Sequence, residues 1–157
     1  MNCSGATISR VTLPDDFREF LLCLNAHEVR YLVVGGHAVS FHGYPRFTHD
    51  VDVVTLPTEH NAKALVAALA DFGFADIPLE PADFLKDTTV VLGRSPDQID
   101  IMTFIKGVDL QQAWNRRAPG LIDGVEVAFI GKEDLIANKL EVGRPEDLAD
   151  VARLGED

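Results

Sequence analysis

The order of apolar and polar positions divides this chain into alternating helical and extended segments. Phe17, Phe20, Leu21 and Leu24 follow the i, i+3, i+4, i+7 spacing of one helix face, and predict a first helix from Pro14 to Ala26. Tyr31 to Val34 is a short apolar run closed by Gly35-Gly36, the pattern of a buried strand entering a tight turn, with a short helix over His37 to Phe41. Pro45 disfavours helix at Tyr44, and Asp50 to Thr55 alternates polar and apolar residues as a strand does. Ala62, Leu65, Val66, Leu69 and Phe72 define an amphipathic helix with Thr58 as its cap and Gly73 at its end.

Beyond this helix, Ala75 to Lys86 carries little periodicity and is expected to be loop with one helical turn. Thr88 to Leu92 and Gln98 to Phe104 are strand-like and joined by a turn-rich connection, which predicts an antiparallel hairpin. Val125 to Ile130 is a further strand, while Asp109 to Arg116 and Lys132 to Leu140 are helical. Pro145 starts a last helix expected to turn Leu148, Val151 and Ala152 inward. The sum is an α/β or α+β fold, a mixed twisted sheet flanked by helices. Residues 14–157 are expected to form one domain behind a flexible lead-in of residues 1–13.

Composition narrows the function classes. No apolar run approaches the ~20 residues that span a bilayer. Two cysteines without a Cys-x-x-Cys pair speak against a disulfide scaffold and fit a reducing cytoplasm, with Cys23 expected to pack as core. A formal charge of −11 argues against an extended nucleic-acid surface, because such affinity rests on clustered Lys and Arg. A polyanionic ligand would then have to be held locally, by metal ions, helix N-termini or a few placed cations.

The candidate chemistry lies in Asp50-Val51-Asp52-Val53. The strand period of two sends both carboxylates to one face and both valines to the other. Paired carboxylates repel unless a cation sits between them, which makes them natural ligands for a hard divalent ion, Mg²⁺ or Mn²⁺. Asp100, between Ile99 and Ile101, is a third carboxylate that a shared metal would partner. Gly35-Gly36 lets backbone amides approach a phosphate ahead of this pair. Each piece has a plainer reading, as a turn or a solvated strand face, and their order and spacing favour the site.

The segment YLVVGGHAVSFHGYPRFTHDVDVV, Tyr31 to Val54, resembles the signature of the DNA polymerase beta-like nucleotidyltransferase superfamily. That signature is an apolar strand, two small residues, a spacer, Asp-apolar-Asp-apolar, and a later carboxylate between apolar residues. Residues 131–154 resemble the tail of small bacterial members, including abortive-infection toxin relatives. The resemblance implies a nucleotidyltransferase fold and metal ions held by Asp50, Asp52 and Asp100, the first two handling a nucleoside triphosphate and the third helping to activate an acceptor. It implies transfer of a nucleoside monophosphate with release of pyrophosphate.

The acceptor stays open between a small molecule, a protein and a tRNA end, and a cognate toxin or antitoxin partner is an associated expectation. A catalytically silent module of the same fold, acting as partner-binding or antitoxin component, is the alternative. Gly36 stands where many members carry a serine, which leaves backbone donors alone. Arg46 and Thr48 could reach phosphate or merely fix the entry to the strand, and Lys139 could contact the triphosphate or be solvated on its helix. His37, His42 and His49 fit no zinc pattern and are expected to pack or turn. Arg144, Asp147 and Asp150 are expected to dock the last helix by ion pairs, and Trp114 to pack in the core or at a rim.

Overall fold

A computed structural model describes residues 14–43, 50–94 and 97–155. The expected lead-in at residues 1–13 lies outside them.

Helix α1 (Pro14–Ala26) leads into strand β1 (Tyr31–Val34), which passes into α2 (Gly35–Phe41). Strand β2 (Val51–Thr55) and helix α3 (Glu59–Leu69) follow. The Thr58 side chain accepts a hydrogen bond from the Asn61 amide and so satisfies one of the first free N–H groups of α3. Past α3, Ala70–Phe74 forms a wider turn in which Gly73 takes φ 119°, and Pro81–Phe84 is a single 3₁₀ turn, the one helical turn expected of that loop.

Strands β3 (Thr89–Arg94) and β4 (Asp97–Met102) pair antiparallel as the expected hairpin. Then come α4 (Leu110–Asn115), β5 (Ala118–Ile122), β6 (Val125–Phe129), α5 (Lys132–Val142) and α6 (Pro145–Leu154).

The six strands form one mixed sheet in the order β3-β4-β2-β1-β6-β5. Strand β1 runs antiparallel to β2 and parallel to β6, and β2 runs parallel to β4. Val51, Val53, Ile99 and Ile101 are fully buried, and join Phe20, Leu24, Leu65, Leu69 and Phe72 in one continuous core. Phe20 of α1 meets Phe72 edge to face at 5.7 Å, which fastens the first helix to the end of the α3 segment. Cys23 sits inside this core, as expected.

Two elements depart from the sequence expectation. Strand β5 carries Pro119 and Gly120, residues that argue against a strand. It forms because it is an edge: Pro119 pairs with Ala128 at the sheet border, and a Cβ on Gly120 would collide with the Phe41 and Phe129 rings, stacked 4.1 Å apart. Helix α6 is rotated from the expected face. Leu148 is 48% exposed, whereas Asp147, Asp150 and Leu154 are buried. Its inward side is thus offset by one position, about 100° around the helix axis, and the cause lies in the cation that α5 sends beneath it.

Candidate active site

The pairing of three strands assembles the acidic centre. Val34 at the end of β1 is opposite Asp52 of β2, and Asp52 is the parallel partner of Asp100 of β4. In the same register Val51 aligns with Ile99 and Val53 with Ile101. These four side chains are fully buried on the core side, so the period of two holds Asp52 and Asp100 side by side on the opposite face. Asp50 sits just ahead of β2, where its Oδ1 accepts a hydrogen bond from the Gln98 backbone N–H at 3.2 Å. The Gln98 side chain donates Nε2 to Asp100 Oδ1 at 2.9 Å, so one residue fastens both outer carboxylates. Gln98 escaped the sequence reading, since a polar residue at a strand start carries no signal of its own.

Burial is the main cause that pushes the Asp52 carboxyl up to about 7, followed by the Asp100 charge, a hydrogen bond with Asp100 and the Asp50 charge, against a smaller opposing pull from Lys139. Near neutral pH the Asp52 carboxyl is thus close to half protonated. Among the described residues no three acidic, His or Cys side chains are drawn into a ready ligand cage. Two carboxylates set side by side by strand register, with a third tethered next to them by Gln98, nevertheless make a donor set of the hard-oxygen kind that a divalent cation takes.

The three aspartates line a cleft of about 580 Å³ whose opposite wall comes from α5 and α6. Lys139 lines it too, and it is not solvated: its Nζ lies 2.9 Å from Asp150 Oδ2 and 3.5 Å from Asp147 Oδ1, all three residues being buried. This ion triad explains the rotated face of α6, because a buried ammonium must be met by buried carboxylates. Arg144 caps the same helix, donating Nε to Asp147 Oδ2 at 2.7 Å. The hydrogen bond with Arg144 is the chief reason that Asp147 is held below the usual carboxylate range. The expected docking of the last helix by Arg144, Asp147 and Asp150 is therefore present, with Lys139 at its centre.

On the strand side, Gly35 also lines the cleft. It adopts φ +69°, and a Cβ built there would run into the Asp52 carboxylate. Gly36 follows it in the first turn of α2. Arg46, Thr48 and His49 lie outside the described residues. Burial pulls the His37 imidazole down, with Asp123 opposing, and His42 Nε2 meets the Ile130 carbonyl at 2.6 Å; both fit packing roles.

A larger cleft, about 770 Å³, opens where Asn25, Tyr31, Trp114 and Arg117 meet β5 and β6. Its lining includes none of the three aspartates, so size alone does not mark the site. The Arg117 guanidinium stands 4.0 Å from the Trp114 ring centroid, and Arg30 5.7 Å, so Trp114 packs at a rim as expected.

Residues 11–154 match a family profile described as a nucleotidyltransferase of unknown function. No curated protein matches the chain. Solved structures share the fold. A provisionally assigned nucleotidyltransferase from Thermotoga maritima superposes with a TM-score of 0.56 at 17% identity, covering 87% of this chain and 88% of that one. ANT(2")-Ia in complex with adenylyl-2"-tobramycin gives 0.53 at 13% identity, with 90% and 86% covered. An antigenic nucleotidyltransferase-like protein from Paracoccidioides brasiliensis gives 0.52 at 19%, with 94% and 77% covered. Likeness to the abortive-infection toxins is not among these findings. Among the described residues, no helix is long and apolar enough to cross a membrane.

Proposed function

From the premise that this chain belongs to the nucleotidyltransferase family matched over residues 11–154, we propose that its cleft transfers a nucleoside monophosphate from a triphosphate to a hydroxyl-type acceptor, releasing pyrophosphate. The observation that carries the reading is the in-register pair Asp52 and Asp100, facing Gly35 on one side and Lys139 on the other across a single cleft.

Asp50, Asp52 and Asp100 would hold divalent ions, whose charge, when bound, offsets the charge of the phosphates and of the attacking oxygen. Asp50 and Asp52 take the triphosphate side, next to the main-chain amides of Gly35 and Gly36. Lys139, fixed by Asp147 and Asp150, presents its charge toward the phosphates. A cation that is already oriented loses little entropy when the ligand arrives, which is how a rigid site stabilises charge that develops during transfer. Asp100, on the neighbouring strand β4, faces the acceptor and takes its proton as it attacks the α-phosphate. The likeness to a structure holding an adenylylated aminoglycoside supports nucleotidyl transfer to a small molecule as one form of this chemistry.

Incubation with each nucleoside triphosphate, Mg²⁺ and panels of small-molecule, protein and RNA acceptors tests the proposal. Pyrophosphate release that needs Mg²⁺ and vanishes in Asp52→Asn supports it. A folded wild-type protein that neither gains thermal stability from Mg²⁺ with a triphosphate nor releases pyrophosphate overturns it.

A further inference from the structure

The floor of the cleft continues past the carboxylates. Beyond Asp100 the alternation of strand β4 persists after its formal end: Ile101 and Thr103 are buried, while Met102, Phe104 and Lys106 turn to the other side, and Ile105, though buried, also borders the cleft. Thr103 enforces this parity, since its hydroxyl donates to the Lys86 carbonyl at 2.7 Å and its amide bonds to the Thr88 carbonyl at 3.1 Å. Met102 and Phe104 therefore stand in line with Asp100 and line the same cleft, with Val142 of α5 across from them.

The Phe104 ring is 49% exposed although Ile105 beside it is buried. A loose loop would fold such a ring away, and this loop is fixed. Asn138 Nδ2 donates to the Lys106 carbonyl at 2.8 Å, and Gly107, at φ +77°, lies so close to α5 that a Cβ would press on Glu141 and the Ala137 carbonyl. The half-exposed ring is thus held in place at the lip of the acidic centre.

At about 3.3 Å per extended residue, Phe104 stands some four residues, about 13 Å, along the chain from Asp100. With the α-phosphate beside the pair Asp52 and Asp100 and the outer phosphates toward Asp50, Gly35 and Gly36, a ribose would fall over Met102 and the base would reach the ring. We propose that Phe104, backed by Met102 and Val142, is the platform on which the base of the bound triphosphate stacks. The proposal rests on the nucleotidyl-transfer reading above and adds a specificity rule to it. Phe104 and Val142 offer no donor or acceptor for the base edges and the Met102 sulfur only a weak acceptor, so the platform recognises a ring face and distinguishes poorly between bases.

Calorimetric titration with Mg–ATP, Mg–GTP and Mg–tripolyphosphate, which has no base, separates the alternatives. Phe104→Ala is expected to lose about tenfold in affinity for both nucleotides, a typical effect of one stacked base, with tripolyphosphate unchanged and Phe104→Trp restoring the nucleotides. Equal losses for tripolyphosphate would mean a structural role and overturn the platform. So would unchanged nucleotide affinity in Phe104→Ala, including the case where only transfer falls and the ring serves the acceptor. A wild-type protein that binds tripolyphosphate as tightly as ATP keeps the transferase reading and sinks the platform; one that binds neither sinks both.

Discussion

Gly35 and Asp52 compete for the same space: where any other residue would carry a Cβ at position 35, the Asp52 carboxylate already stands. The register that sets the end of β1 against Asp52 brings the two together, and the positive φ of Gly35 turns the chain into α2 without a side chain to interfere.

Gly35→Ala should therefore act on the acidic centre as well as on the turn. The left-handed backbone costs about 1–3 kcal/mol for a residue with a side chain, and the methyl group pushes Asp52 out of line with Asp100. We expect a lowered melting temperature together with loss of the Mg²⁺-triphosphate thermal shift. Calorimetric scans with and without ligand check this, and an unaltered shift in Gly35→Ala would speak against the packing described.

The raised Asp52 carboxyl gives the metal-free protein a defined pH dependence. Its folded value near 7 exceeds the unfolded value of 3.8, so protonation favours the folded state. Stability from this group is full below about pH 4, declines as pH rises toward 7, and is lost above it. Asp52→Asn should flatten that slope and make the metal-free protein more stable at pH 8, by about 1–3 kcal/mol. Mg²⁺ bound at Asp52 would have to displace the proton that Asp52 carries, so its stabilising effect should grow from pH 6 to pH 8. Denaturant titrations across this range would show either trend, and a Mg²⁺ effect that shrinks with rising pH contradicts the assignment.

Asp100 and Asp52 share a strand pairing but are expected to differ in function. Asp100→Asn keeps the hydrogen-bond partner of Gln98 and should retain most of the triphosphate affinity, while transfer falls by about 10²–10⁴, the usual worth of a positioned base. Single-turnover kinetics beside equilibrium binding separate the two effects. Full transfer activity in Asp100→Asn would remove it from the acceptor side.

The buried triad under α6 makes a stability prediction of opposite sign to the hydrophobic pattern. Lys139→Met leaves Asp147 and Asp150 without their central cation and should cost about 3–5 kcal/mol, with Asp150→Ala also strongly destabilising. Leu148→Gln, at an exposed position, should stay within about 0.5 kcal/mol. Urea midpoints of the three variants check the order.

That contrast shows where sequence reading reaches its end. Helix α1 appears with the bounds its apolar spacing predicts, the Thr58 cap is present, and Asp50, Asp52 and Asp100 are brought to one cleft by a period of two and one parallel pairing. These features depend on residues whose neighbours are local, or on a parity that any pairing partner would respect. The face of α6 depends instead on one ammonium from another helix, and no periodicity within Pro145–Leu154 can report it. Strand β5 was hidden for a related reason: Pro119 and Gly120 are tolerated only because of what lies across from them, an open border and two stacked rings. Gln98 and Phe104 were silent because a polar strand start and an exposed ring become informative only once the cleft exists.

The proximity of the single tryptophan to two guanidinium groups has an optical consequence. Trp114 belongs to the cleft that contains none of the three aspartates, so its emission watches the β5–β6 end of the sheet rather than the acidic centre. Cation proximity tunes an indole's spectrum, which makes this fluorophore a built-in reporter of events around Arg30 and Arg117, quiet while the acidic centre fills and empties.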